Sequence, residues 1–157
     1  MAGVKSEERS MAYLVLLGRL IVSAAFILAA LPKIQDPAAF ATSVEGYRIV
    51  TGNLAMWIAL VLPWLELVAG LGLLIPQIRR GSNLIIALLL IVFTVLHASA
   101  WARGLDINCG CFSGHESEKT PDYLWLVLRN IGLLTACIFV LIRDWQHRVL
   151  REDTSTS

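Results

Sequence analysis

Charged residues are scarce in this sequence. Asp, Glu, Lys and Arg make up only 16% of the 157 residues, whereas globular domains average about 25%. The hydrophobic share of 57% argues against a water-soluble enzyme and excludes a disordered chain. Because 13 basic residues nearly balance 12 acidic ones, we expect no nucleic-acid partner. The three cysteines are too few for a disulfide-stapled miniprotein.

Four apolar segments are long enough to cross a bilayer as helices, which takes about 20 residues. They cover about 11–31, 54–75, 84–102 and 123–142 of a single membrane domain, 1–157. No alternating strand pattern accompanies them, so the sequence predicts an all-α polytopic membrane protein with an antiparallel four-transmembrane-helix bundle. The first segment could instead be a cleaved signal peptide. Its long apolar run, interrupted by Arg19, favours an uncleaved helix.

Basic residues are unevenly divided between the two sides of this bundle. The side with both termini and the 77–83 turn holds seven: Lys5, Arg9, Arg79, Arg80, Arg143, Arg148 and Arg151. The opposite loops hold four: Lys33, Arg48, Arg103 and Lys119. The excess of basic residues predicts cytoplasmic termini in a plasma (inner) membrane protein, with the two longer loops on the outer side.

The first outer loop contains a helix signal of its own. Asp36 followed by Pro37 is typical of an N-cap and the first helical position. Phe40, Val44 and Tyr47 then recur with helical spacing. The pattern predicts a short interfacial helix over about 37–49.

The second outer loop, 103–122, contains two cysteines separated by one residue. Cys109 and Cys111 can form a disulfide only if the chain between them bends, which Gly110 permits. Such a small ring would be strained and readily exchanged, so the spacing favours a redox-active pair over a structural staple. Two unrelated loop thiols remain the alternative.

Metal capture is another interpretation of the same loop. Thiolates at Cys109 and Cys111, with His115 nearby, could hold a soft ion such as copper(I), zinc or mercury. No fourth ligand is evident in the neighbouring sequence. This hypothesis predicts metal binding that is lost when His115 is replaced.

Two charged residues fall inside the predicted spans at similar depths, counted from the predicted helix ends. We therefore predict an ion pair between Arg19 in the first helix and Glu66 in the second. The pair could fix helix register or handle protons. Cys137 lies deep in the fourth segment and is expected to be a buried thiol without a redox role.

A second polar group lies beneath the cysteine loop. His97 is near the outer end of the third helix, and Arg129 and Asn130 are near the outer end of the fourth. These side chains could stabilise a thiolate, relay a proton or bind an anionic or quinone ligand. Snorkelling of Arg129 and a hydrogen-bonded core His97 are the structural alternatives.

Several tracts between residues 16 and 142 give the chain a family resemblance. They are Gly18-Arg19-Leu20, Leu31-Pro32-Lys33, Asp36-Pro37, Gly46-Tyr47-Arg48, Leu62-Pro63-Trp64-Leu65-Glu66-Leu67, Cys109-Gly110-Cys111-Phe112 and Arg129-Asn130. With these tracts the chain resembles the methylamine-utilisation MauE family, within the larger DoxX-like family of four-helix membrane proteins. Ser113 departs from the family pattern, which more often has Gly directly after the Phe.

The resemblance implies a redox-associated membrane protein. The family is linked to disulfide formation in the exported small subunit of methylamine dehydrogenase, alongside a thioredoxin-like partner. On this basis Cys109 and Cys111 would exchange disulfides with an exported or membrane-anchored thioredoxin-like protein, aided by Arg103, His97 and Arg129. Electrons would pass to a membrane quinone or another dithiol. A non-catalytic membrane assembly factor is the alternative function.

Overall fold

The computed structural model describes the backbone of residues 2–105 and 123–155, and the side chains of residues 10–105 and 124–146. This part of the chain contains five helices and no strand. They are α1 (Ala2–Gln35), α2 (Pro37–Gly46), α3 (Asn53–Gly72), α4 (Arg79–Ala102) and α5 (Tyr123–Ser155). The predicted all-α fold class is confirmed.

Four of these helices include segments that are long and apolar enough to span a membrane: Ser10–Gln35, Asn53–Gly72, Arg79–Ala102 and Leu124–Gln146. Large apolar side chains such as Leu88, Val95 and Leu128 are exposed on the bundle surface. Contact of such an apolar surface with water is unfavourable, so lipid tails would cover it. The protein is an integral membrane protein.

The first helix extends beyond its predicted end at residue 31. Pro32 lies within the last turn of α1, and the backbone N–H of Asp36 donates to the Pro32 carbonyl at 3.1 Å. Pro32 has no backbone N–H to donate to the Leu28 carbonyl, but α1 continues through it to Gln35. Lys33 therefore lies on the helix, whereas the sequence placed it in a loop.

The short helix α2 begins as predicted. The Asp36 carboxylate accepts a hydrogen bond from the Ala39 backbone N–H at 2.9 Å, and Pro37 occupies the first turn. α2 ends at Gly46, earlier than the expected residue 49, because Arg48 adopts a left-handed φ of 54°. Phe40 and Ala41 pack against Ala59, which holds α2 on α3.

The four long helices form a closed antiparallel ring in which α1 contacts α3 and α5, and α4 contacts the same two helices. Buried apolar side chains from all four fill the centre: Val22, Phe26, Ala69, Leu73, Ile86, Leu89, Leu90 and Cys137. We call the end at which α4 ends and α5 begins the loop end, and the opposite end the far end. Residues 106–122, which contain the predicted cysteine pair, lie outside the described residues.

Candidate functional site

A cavity of about 70 Å³ lies between the four long helices, towards the loop end. Every long helix contributes at least one polar side chain to its lining: Lys33 from α1, Glu66 from α3, His97 from α4, and Arg129 and Asn130 from α5. His97 and Arg129 lie five and six residues from the ends of their helices. At 1.5 Å per residue, each lies roughly 8–9 Å along its helix axis from the segment that joins α4 to α5. We call this site the polar cavity.

An ion pair forms one wall of the polar cavity. Lys33 Nζ donates to both carboxylate oxygens of Glu66, at 2.7 Å to Oε1 and 2.8 Å to Oε2. The two side chains are only 3% and 1% exposed. The rings of Phe40 and Phe93 enclose the ammonium group, with centroids 5.0 and 5.1 Å from Nζ. The charges are thus neutralised by each other and enclosed by aromatic side chains.

The predicted ion pair between Arg19 and Glu66 is wrong. Ser23 Oγ donates to the Gly70 carbonyl at 2.8 Å, which sets the register between α1 and α3. Arg19 lies four residues to the far side of Ser23, and Glu66 lies four residues to the loop side of Gly70. Their Cα atoms are therefore separated by about 12 Å along the bundle axis. The estimate from the sequence failed because it counted depth from predicted helix ends. The second span was predicted to end at residue 75, whereas α3 ends at Gly72.

Arg19 is paired instead with Asp144 on α5, a buried carboxylate that also lies 3.5 Å from Arg79 Nε. Arg80 donates to the Asp144 backbone carbonyl at 3.0 Å. These contacts join α1, α4 and α5 at the far end. The sequence analysis did not single out Asp144, because it lies beyond the end of the predicted span at residue 142.

His97 is held in place from two sides. Its ring Nδ1 donates to the carbonyl of Phe93, one turn earlier on α4. The Tyr47 ring packs edge-on against the imidazole, with centroids 6.2 Å apart and planes at 81°. Tyr47 follows α2 directly, so the connection between α1 and α3 covers this side of the polar cavity. The hydrogen-bonded, buried His97 matches the structural alternative given above, although it also lines the cavity.

Asn130 lines the polar cavity and is only 3% exposed. Its Nδ2 atom has no hydrogen-bond partner within the part of the chain that the structure describes. Burying an amide N–H₂ group without a partner is unfavourable. Neighbouring Arg129 also lines the cavity and is half-buried.

The arrangement can be compared with known families. The family described as "Methylamine utilisation protein MauE" matches residues 11–143, which include all five polar side chains of the cavity. The chain belongs to the MauE family. The resemblance to the MauE family is thereby confirmed, whereas the wider DoxX-like grouping stays a prediction.

Curated MauE relatives are similar over most of this chain. It is 36% identical over 110 residues to the methylamine utilization protein MauE of Methylorubrum extorquens, covering 69% of this chain and 58% of the relative. It is 34% identical over 123 residues to the MauE protein of Paracoccus denitrificans, covering 78% and 65%. The chain therefore spans less than two thirds of these relatives' length. No solved structure matches it.

The structure of this MauE-family chain describes only some of the remaining predicted site residues. Cys109, Cys111 and His115 lie outside the described residues, so the loop pair and the metal hypothesis stay predictions. In the described ranges, no group of three metal-ligating side chains occurs. Arg103 is exposed at the end of α4 and does not line the polar cavity. Cys137 is buried in the core, as expected, and its backbone carbonyl accepts from Asn83 Nδ2 at 3.0 Å.

Chemically, the polar cavity of this MauE-family protein combines a neutralised ion pair, an imidazole, a guanidinium and a buried amide within apolar walls. Such a site can hold a polar group inside the membrane span, because its donors replace the hydrogen bonds of water.

Proposed function

We propose that this MauE-family membrane protein supports thiol–disulfide chemistry in methylamine utilisation through Cys109 and Cys111. The observation that carries the proposal is the Cys-Gly-Cys tract in the segment that joins α4 to α5. Both helices bring polar cavity side chains close to the ends of this segment. The curated relatives are named for methylamine utilisation, which supports the same process for this chain.

The exchange itself requires only the two cysteines and a partner dithiol. A partner thiolate attacks the Cys109–Cys111 disulfide and forms a mixed disulfide, releasing one of the two as a thiolate. The second partner thiolate then attacks the mixed disulfide, so the partner leaves oxidised and Cys109 and Cys111 remain as a dithiol. The partner is an exported or membrane-anchored thioredoxin-like protein. His97 and Arg129, near the ends of α4 and α5 that flank the segment, and Arg103, directly after α4, are the basic side chains to which we assign stabilisation of the thiolate.

The protein is oriented with its termini in the cytoplasm and the cysteine segment on the outer side of the plasma membrane. The far end supports this orientation, since Arg79, Arg80 and Arg143 cluster there on α4 and α5. The outer compartment is oxidising, so the cysteine pair can persist as a disulfide there.

Trapping of the mixed disulfide tests the proposal. Cys109→Ser and Cys111→Ser are each introduced into a Cys137→Ser background, so that one loop thiol remains. We expect one of the two variants to accumulate a reductant-sensitive adduct with a thioredoxin-like protein, because the resolving thiol is missing. The matched control, with all three cysteines replaced, should form none.

Two other outcomes would contradict the redox proposal. A non-catalytic assembly factor would co-purify with its partner without any covalent adduct. A soft-metal protein would bind copper(I) or zinc in the reduced state and would lose that binding in His115→Ala.

A further inference from the structure

The lining of the polar cavity is chemically divided. One part is polar, as described above. The rest is apolar and comes from α1, α4 and α5: Ala25, Phe26, Ala29, Leu90, Phe93 and Leu133. An apolar wall beside a small number of fixed polar groups is the usual composition of a site for an organic ligand.

The hydrogen-bonding balance of the cavity favours a ligand that accepts hydrogen bonds. Both oxygens of Glu66 already accept from Lys33. The Asn130 Nδ2 group is a donor, is nine-tenths buried, and has no partner among the described residues. A ligand carbonyl would satisfy this donor, whereas a ligand that only donates would leave it unpaired.

The burial of the lining shows where a ligand can enter. Glu66, the lining residue from α3, is buried, and so are two of the three from α4, Leu90 and His97. The lining residues Ala25 and Ala29 on α1 are only half-buried, as are Arg129 and Leu133 on α5. The cavity therefore opens between α1 and α5, within the membrane-spanning segments Ser10–Gln35 and Leu124–Gln146. A ligand that enters from this side comes from the bilayer.

We propose that the polar cavity binds the carbonyl edge of a membrane quinone, with Asn130 donating to a ring oxygen and the apolar lining contacting the ring. The enclosed volume, about 70 Å³, takes the edge of the ring, and the remainder lies in the opening between α1 and α5. The phenyl groups of Phe26 and Phe93 lie in the lining and suit a flat ring.

The redox role of this site rests on the proposed thiol–disulfide function and adds the electron acceptor to it. Oxidation of the two loop thiols to a disulfide releases two electrons and two protons. A quinone takes up two electrons and two protons and becomes a hydroquinone, so the reaction balances. The quinone thus regenerates the disulfide that the partner dithiol consumes.

Binding is tested in the full chain with Cys109→Ser and Cys111→Ser, so that no redox turnover occurs. The protein is reconstituted in quinone-free phospholipid nanodiscs and titrated by calorimetry with short-chain benzoquinone and naphthoquinone derivatives. We expect saturable binding of at least one ring type. Asn130→Leu removes the donor and should weaken it roughly fivefold to tenfold, the equivalent of one hydrogen bond.

A matched pair of substitutions on α1 tests the location. Ala29→Leu fills the cavity and should abolish saturable binding, whereas Ala24→Leu makes the same change on the exposed face of the helix and should leave it intact. Thermal unfolding without quinone separates binding from folding. Asn130→Leu should be at least as stable as the parent, because it removes an unpaired buried donor.

The proposal is overturned if neither ring type binds saturably, or if Ala29→Leu and Asn130→Leu leave the affinity unchanged. Loss of binding when the phospholipid content is raised would assign the site to lipid ester carbonyls instead. Quinone binding without mixed-disulfide trapping would leave the site standing and refute the thiol–disulfide function. Mixed-disulfide trapping without quinone binding would support the thiol–disulfide function and refute the quinone site.

Discussion

Lys33 and Glu66 show how two charges can be buried within a membrane protein. Side chains on a helix lean towards its N-terminus. Because α1 and α3 are antiparallel, Lys33 leans towards the level of Glu66, and Glu66 leans towards that of Lys33. The contact at 2.7 and 2.8 Å follows from these opposed directions. A charge without a partner at this depth would be costly, so each residue requires the other.

Removing one member of the pair should destabilise the protein more than removing both. Lys33→Met or Glu66→Leu alone leaves an unpaired buried charge and should cost about 3–5 kcal/mol in the free energy of unfolding. The double variant has no buried charge and should recover most of that loss. Chemical unfolding in mild detergent measures all three, with exposed Arg103→Met as the control.

The prediction fails if the double variant is as unstable as the worse single variant, or if neither single substitution changes the unfolding free energy.

At the scale of elements, the sequence predicted what depends on composition and local pattern. The four apolar spans were visible, and so was the start of α2 at Asp36 and Pro37, because capping is encoded by adjacent residues. The partners of Arg19 and Glu66 were not predictable in this way. They depend on the register between helices, which the Ser23–Gly70 contact sets and no single-helix pattern contains.

Gly70 is the point of close approach between α1 and α3. A Cβ atom placed there would lie 3.2 Å from Ile27 Cγ1, 3.3 Å from Phe26 Cβ and 3.3 Å from the Ser23 carbonyl oxygen. Two of these atoms belong to rigid parts of α1 and cannot move aside without displacing the helix. Small residues at such contacts let transmembrane helices pack closely.

A larger side chain at Gly70 should therefore separate α1 from α3. We expect Gly70→Leu to lower the unfolding free energy by about 1–3 kcal/mol through overpacking. Gly132→Leu is the matched control on α5, where an added Cβ meets nothing within 4 Å. Equal thermal-unfolding midpoints for the two variants would show that the α1–α3 contact does not limit stability.

At the scale of the whole molecule, two groups of charges lie at different depths in the bundle. The Arg19–Asp144 pair lies towards the far end, and the Lys33–Glu66 pair towards the loop end. Arg79, which lies 3.5 Å from Asp144 in the first group, is one of the seven basic residues from which the sequence predicts the orientation. In the second group, Lys33 was counted among the four basic residues of the opposite loops. Moving it into α1 leaves fewer basic residues at the loop end and strengthens the predicted orientation.

Cysteine labelling tests this orientation directly. In a background without the three native cysteines, Gln77→Cys places one exposed thiol in the turn between α3 and α4. A membrane-impermeant maleimide should label it only after the cells are permeabilised. A second variant that retains Cys109 alone should be labelled in intact spheroplasts. The reverse pattern would show that the bundle is inserted the other way.

The redox state of Cys109 and Cys111 in growing cells tests the central claim most directly. Rapid acid quenching of a Cys137→Ser strain, followed by alkylation with a mass-shifting maleimide, counts the free thiols. The account predicts that the pair is reduced by a pulse of dithiothreitol and returns to the disulfide after the reductant is removed. A pair that stays as two free thiols throughout growth and recovery would contradict it.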